Sequence, residues 1–152
     1  MKKMKILLLS FILIGIVSCS DDDNNNCSDS IIETTSLENE YGCINTKYQM
    51  DIELSNDHMI IRNQLDFSEF VTGSCQPEID FSIYDLVIGK KGLSSGNSSI
   101  NYELIENCND GNQTLTVTFN QNETTEAPNL TYHALIPKLG NEQTLNIQII
   151  VN

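Results

Sequence analysis

The chain has 152 residues, with 8 basic and 21 acidic side chains, a formal charge of −13, five cysteines and no tryptophan. That length supports one domain around a single core. The negative excess excludes nucleic acid as a partner, because phosphate backbones are repelled, and makes an anionic bilayer surface equally unattractive.

Met1-Lys2-Lys3-Met4-Lys5 is a basic leader, and the apolar segment that follows runs from Ile6 to Val17. A bilayer-spanning helix needs ~20 residues, so residues 1–18 read as an export signal. Ile16-Val17-Ser18-Cys19 closes it and resembles the lipobox of bacterial lipoproteins, in which a peptidase cuts before an acylated cysteine. The resemblance implies that Cys19 carries the acyl chains and holds the protein on a membrane, at roughly 0.8 kcal/mol per buried CH₂. The stretch from Ser20 to Asn26, Ser-Asp-Asp-Asp-Asn-Asn-Asn, has almost nothing to bury and lacks calcium-loop spacing, so residues 19–27 are expected to form a disordered acidic tether. An acidic run behind such a cysteine also resembles the surface-export signal of some Gram-negative lipoproteins. That implies the outer membrane, with the domain facing the cell exterior. Cleavage before Cys19 leaves 152 − 18 = 134 residues and 8 − 3 = 5 basic against 21 acidic side chains, a formal charge of −16.

Residues 28–152 form a single β-rich domain. Ser28 to Thr46 is weakly periodic and reads as an ordered loop or short turn, within which Asp29-Ser30-Ile31 resembles a short bacterial O-glycosylation motif. Tyr48, Met50, Ile52 and Leu54 alternate with polar residues, which predicts a half-buried strand turning at Ser55-Asn56-Asp57 into a second strand, His58 to Arg62. Asn63 can cap a short helix whose face carries Leu65, Phe67, Phe70 and Val71. The longest apolar run outside the leader, Ile79 to Gly89, alternates with one slip of phase and predicts a long central strand with a bulge. Lys90-Lys91-Gly92 ends it, and the Gly/Ser-rich residues 92–98 read as a loop. Ile100 to Ile105 and Leu115 to Phe119 are strands joined at Asn109-Asp110-Gly111-Asn112, where Asp-Gly supplies the backbone of a tight turn. After a polar loop from Gln121 to Asn129 come the last two strands, Leu130 to Ile136 and Leu145 to Val151. About seven strands and one short helix predict an all-β fold, an antiparallel sandwich or partly open barrel.

Apart from Cys19, four cysteines remain, Cys27, Cys43, Cys75 and Cys108, an even number that argues for disulfides in an exported protein. They allow three connectivities. The favoured expectation is Cys27–Cys43 and Cys75–Cys108, each contributing roughly 3 kcal/mol by loop entropy. A zinc site would want paired C-x₂₋₄-C spacings, which are absent.

The order Pro77-x-Ile79-Asp80-Phe81, Asp85-Leu86-Val87-Ile88-Gly89, a Gly-rich loop, a hairpin ending in Leu115-Thr116-Val117, and a late Tyr132-His133-x-Leu135-Ile136-Pro137-Lys138 resembles the PrcB type. That type is a C-terminal domain of lipoproteins that assist a cell-surface protease complex. The resemblance runs from residue 77 to 138 and implies a non-catalytic accessory or interaction role. The chain departs from the pattern where Gly92-Leu93-Ser94-Ser95-Gly96-Asn97 replaces a Gly-Gly-Tyr type of turn.

The chemistry legible in the residues is sparse. No H-E-x-x-H, G-x-S-x-G, phosphate loop or dinucleotide fingerprint occurs, and nothing points to a cofactor. His58 and His133 lie in predicted strands, and Asp51 and Glu53 share a strand face expected to meet water. A glycan-active enzyme needs two carboxylates across a cleft, and with 21 acids available such a pair is no signal. A sugar-binding module would present stacking aromatics, for which Tyr41 and Tyr48 are the candidates. The N-x-[ST] asparagines Asn97, Asn112, Asn122 and Asn129 read as loop and edge chemistry. Long connections are where function concentrates. The two segments Lys90 to Ser99 and Gln121 to Asn129 are therefore the expected binding surface for a protein partner, with Lys90 and Lys91 facing either that partner or Glu123 and Glu126.

Overall fold

The computed structural model describes residues 27–44, 48–54 and 57–152. Cys19, the export signal and the acidic tether before residue 27 lie outside them, as do Ser55 and Asn56 of the expected turn. Among the described residues nine strands and two short helices are arranged in chain order as follows. They are β1 (Ser30–Ile32), α1 (Leu37–Tyr41), β2 (Asp51–Ile52), β3 (His58–Ile61), α2 (Gln64–Phe70), β4 (Val71–Thr72), β5 (Tyr84–Gly92), β6 (Asn97–Glu106), β7 (Gln113–Gln121), β8 (Asn129–Pro137) and β9 (Leu145–Val151).

The fold is an all-β sandwich whose barrel is not closed. One sheet has the order β1-β6-β7-β9 and the other β3-β5-β8, with β2 and β4 forming a small separate ribbon. Each sheet presents one face to the other, and that interior holds Val87, Tyr132, Ala134 and Ile136 against Leu104, Leu115, Val117 and Phe119. The β3-β5-β8 sheet is covered on its second face as well. There Ile61, Leu86, Ile88 and Leu135 pack against Leu37 of α1, Phe67 of α2, Ile52 and Val71. Burial on both faces explains why Leu86-Val87-Ile88 and Tyr132 to Ile136 are continuous rather than alternating runs. Each fully buried aliphatic or aromatic side chain contributes ~1.5–3 kcal/mol, so the second core is a major part of stability rather than a decoration.

Both helices follow from their caps. The Ser36 side chain accepts the Asn39 N–H, and Gly42 ends α1 in the left-handed region at φ 72°. Asn63 accepts the Asp66 N–H and starts α2 where expected. Only Phe67 of that helix is fully buried, with Leu65 turned to solvent. The segment read as a loop thus contains β1 and α1, a second helix beyond the one expected.

Several pairings differ from expectation. The central strand begins at Tyr84, because Asp80 instead organises a turn in which its carboxylate accepts the Ser82 N–H and hydroxyl and its carbonyl accepts the Tyr84 N–H. Those bonds hold the Asp80 carboxyl below its usual range. The strand then runs through Lys90 and Lys91 to Gly92, paired residue by residue with β8. The expected hairpin between Tyr48 to Leu54 and His58 to Arg62 does not form: β2 pairs β4, and β3 pairs β5. The β6–β7 hairpin is as expected, with Gly111 at φ 68°. The fold is not wholly antiparallel, since β9 runs parallel to β7 from Gln113↔Leu145 to Phe119↔Val151. The chain reaches that register by crossing to the other sheet as β8 and returning.

The disulfides are Cys27–Cys108 and Cys43–Cys75, which corrects both favoured pairings. With all four thiols oxidised in pairs, they cannot act as zinc ligands. Cys43 is fully buried beneath α1, and Cys75 reaches it because the backbone of Cys75 bonds to the Gln49 carbonyl at 2.8 Å. Cys27 reaches Cys108 because β1 lies against the far end of β6, where Asp29 Oδ1 also accepts the Cys108 N–H at 3.1 Å.

Candidate binding cleft

Two connections cross between the sheets at the same end of the sandwich, residues 93–96 after β5 and residues 122–128 after β7. They are bonded to each other. The Leu93 N–H donates to the Pro128 carbonyl at 3.0 Å, the Asn122 N–H to the Gly96 carbonyl at 2.8 Å, and Gln121 Nε2 to Ser94 Oγ at 3.2 Å. Within the second arch Asn122 Oδ1 accepts both the N–H and the hydroxyl of Thr124, at 3.1 and 2.8 Å. A side chain at Gly96 would collide with Asn122 and Thr124, so the close approach of the arches depends on that glycine.

Between them opens a cleft of about 590 Å³. Its lining combines apolar Ala127, Pro128 and Leu130 with polar Asn97, Asn122, Glu126 and Asn129. Tyr48, 76% exposed, forms one wall. A second cleft of about 450 Å³, lined by Glu38, Ile44 and Ser98 among others, shares Asn97 and Leu130 with the first and extends it. The Asn97 Oδ1 is buried and meets no hydrogen-bond partner among the described residues. Such an acceptor is costly to leave unpaired and suits a ligand donor. Amides, a carboxylate, an aromatic ring and a few apolar side chains in one cleft can bind a polar chain by hydrogen bonding and stacking.

The expected site residues divide. Glu126 lines the cleft with Gly96 and Asn97, and Glu123 is exposed on the same arch. Lys90 and Lys91 belong to β5 instead: Lys90 forms an ion pair with Asp51 and borders a separate shallow depression with Glu53, Leu54 and Asp57. Asp51 is therefore bonded to the sheet rather than turned wholly to water. The N-x-[ST] asparagines Asn97, Asn122 and Asn129 fall on the cleft. Asn112 instead ties the β6–β7 turn to Thr144, whose N–H and hydroxyl it accepts.

The remaining titratable groups are structural in their surroundings. Asp85 is fully buried, lies 3.5 Å from Arg62 and 3.4 Å from Lys138, and accepts the Leu139 N–H at 3.1 Å. Sequence reading missed it, since a strand Asp between Tyr84 and Leu86 carries no sign of its partners. His133 is fully buried, with neither ring nitrogen bonded among the described residues, and burial pushes its pKa down to about 4. Its backbone N–H donates to the Tyr102 hydroxyl at 3.0 Å. Burial raises the Tyr132 hydroxyl to about 12, with the Asp57 carboxylate adding to the shift. The ring of Tyr132 lies edge-on to Phe119, centroids 6.0 Å apart, over Gly89, where any side chain would strike it. No protein-family model, no curated protein and no solved structure matches this chain.

Proposed function

We propose that the chain is a lipid-anchored cell-surface protein whose β domain binds a protein partner without catalysis, as an accessory of the kind the PrcB resemblance implies. The observation that carries the reading is the pair of arches bonded to each other around one cleft, since a preformed groove lined by both polar and apolar groups suits binding. The position of the cleft supports it. It sits at the Asn97 end of β6, whereas Cys27, the described residue nearest the acidic tether, is bonded to Cys108 beyond the opposite end. At ~3.3 Å per residue the ten residues of β6 separate the two ends by roughly 30 Å, which turns the cleft away from the anchored side.

Affinity capture of the intact lipoprotein from its own membrane tests the reading. Tyr48→Ala combined with Glu126→Ala should lower recovery of the captured partner at least tenfold while leaving thermal stability nearly unchanged. Cys19→Ala should abolish uptake of labelled palmitate and release the chain from the membrane. Unchanged capture by the cleft variant would overturn the site, and unchanged palmitate labelling would overturn the anchor.

A second reading, a sugar-binding module, is favoured by one observation: Tyr48 stands beside Asn97, Asn122, Asn129 and Glu126, the combination of stacking ring and amides that grips a saccharide. Saturable binding of a soluble oligosaccharide, lost in Tyr48→Ala, would select it over a protein partner.

A further inference from the structure

An edge strand exposes a row of unpaired backbone donors and acceptors, and proteins blunt such edges with short strands, charges, proline, bulges or a covering segment. Three of the four edges of this sandwich are managed in that way. β1 is three residues long and clamped beside Cys27–Cys108. β3 is four residues long. β8 is long, but Leu135 exchanges two backbone hydrogen bonds with Thr35, at 2.8 and 3.2 Å, and the Tyr102 hydroxyl takes the His133 N–H.

β9 is the exception. It lies at the edge of its sheet and, among the described residues, pairs only with β7, in an unbroken register of seven residues. Leu145-Asn146-Ile147-Gln148-Ile149-Ile150-Val151 contains no charge, proline or glycine in a chain whose formal charge is −13. Its inward residues Leu145, Ile147 and Ile149 join the inter-sheet core yet remain only half-buried. Ile60 of β3, the edge strand of the opposite sheet, packs on the same core and is also half-buried. The side of the sandwich between β9 and β3 is thus left with unfinished apolar cover.

We propose that β9 is an acceptor edge for an extended strand of a protein partner, one of basic composition. A row of main-chain donors and acceptors with alternating apolar neighbours is satisfied by a strand and by little else. Charge selects the source: a second copy would bring two strongly acidic domains together against their mutual repulsion, while a basic segment is drawn to the same surface. This rests on the reading of the chain as a binding domain, but not on the cleft.

The test is amide hydrogen exchange on the full mature chain, with and without a synthetic peptide of alternating valine and threonine carrying lysine at both ends. Exchange across residues 145–151 should slow at least tenfold when the peptide is present. Asn146→Lys with Gln148→Lys, both at exposed positions, should weaken peptide binding at least tenfold without lowering the melting temperature. Protection confined to the arches or to β3, or no protection at millimolar peptide, would overturn the proposal. Concentration-dependent protection of β9 without peptide would overturn it in favour of self-pairing. The same experiment on the Tyr48→Ala, Glu126→Ala variant separates the two readings: protection of β9 should persist there, even if capture by the cleft fails.

Discussion

His133 makes stability depend on pH over a window that carboxylates alone would not give. The folded protein holds the imidazole neutral with a pKa of about 4, against an ordinary value of 6.5. Between those values the unfolded chain takes up a proton and the folded one does not, so stability is fully present above pH 6.5 and falls as pH drops towards 4. The interval, 6.5 − 4 = 2.5 pH units, at ~1.36 kcal/mol per unit gives a loss of about 3 kcal/mol. That is a large share of a typical domain stability of ~5–15 kcal/mol. His133→Leu isolates the effect, because it keeps a similar volume and removes two ring nitrogens that find no hydrogen-bond partner among the described residues. Urea unfolding of both proteins at intervals from pH 7.5 to 4 is the assay. The variant should be at least as stable as the parent at pH 7.5, because an unpaired buried polar group costs ~1–3 kcal/mol. Its advantage should then grow by ~3 kcal/mol as pH falls to 4, while carboxylate titrations common to both cancel. Parallel stability curves would refute the reasoning and show that the imidazole protonates in the folded state without cost.

Three further outcomes are expected. Non-reducing peptide mapping should recover Cys27–Cys108 and Cys43–Cys75, and a Cys27–Cys43 peptide would contradict the register of β1 on β6. The loops closed span 81 and 32 residues of sequence separation, worth ~4.5 and ~3.7 kcal/mol by chain entropy. Yet Cys43→Ala with Cys75→Ala should be the more damaging change in thermal melts, because Cys43 is also a fully buried core residue. Lys90→Ala removes a half-exposed ion pair with Asp51 and should cost ~0–1 kcal/mol. A melt showing a larger loss would mean that the pair holds β2 onto β5.

The sequence was most readable where local chemistry and final structure agree. Asp110-Gly111 supplies a tight turn, Asn63 a cap, and the strict alternation of β7 a strand with one buried face. It misled where a local motif wore the pattern of another. Ile79, Phe81 and Ile83 alternate like a strand, but Asp80 and Ser82 bind each other and the backbone closes into a turn. The opposite error occurred at Lys90 and Lys91, which resemble a strand end yet continue β5, because β8 offers backbone partners as far as Asn129. What no single stretch records is partnership at a distance: which cysteine meets which, that β9 returns parallel to β7, or that Asp85 sits between Arg62 and Lys138. The cleft was half legible. The connection from Gln121 to Asn129 was located, but of the stretch from Lys90 to Ser99 only residues 93–96 lie between strands, and Tyr48 enters the cleft wall from a segment far away in sequence.

Cys27–Cys108 also decides where a mechanical load enters the domain. A pull on the chain at residue 27 would, without the bond, peel β1 from β6 one residue pair at a time, and only three pairs resist it. With the bond in place the force passes covalently to Cys108, beside the β6–β7 turn, and β1 is bypassed. β6 and β7 are then loaded along nine matched residue pairs from Glu106↔Gln113 to Asn97↔Gln121, and the two ends of that hairpin are already tied by its own turn. A load applied at residue 27 would therefore be borne by the sandwich as a whole, leaving the arches at the far end unstretched.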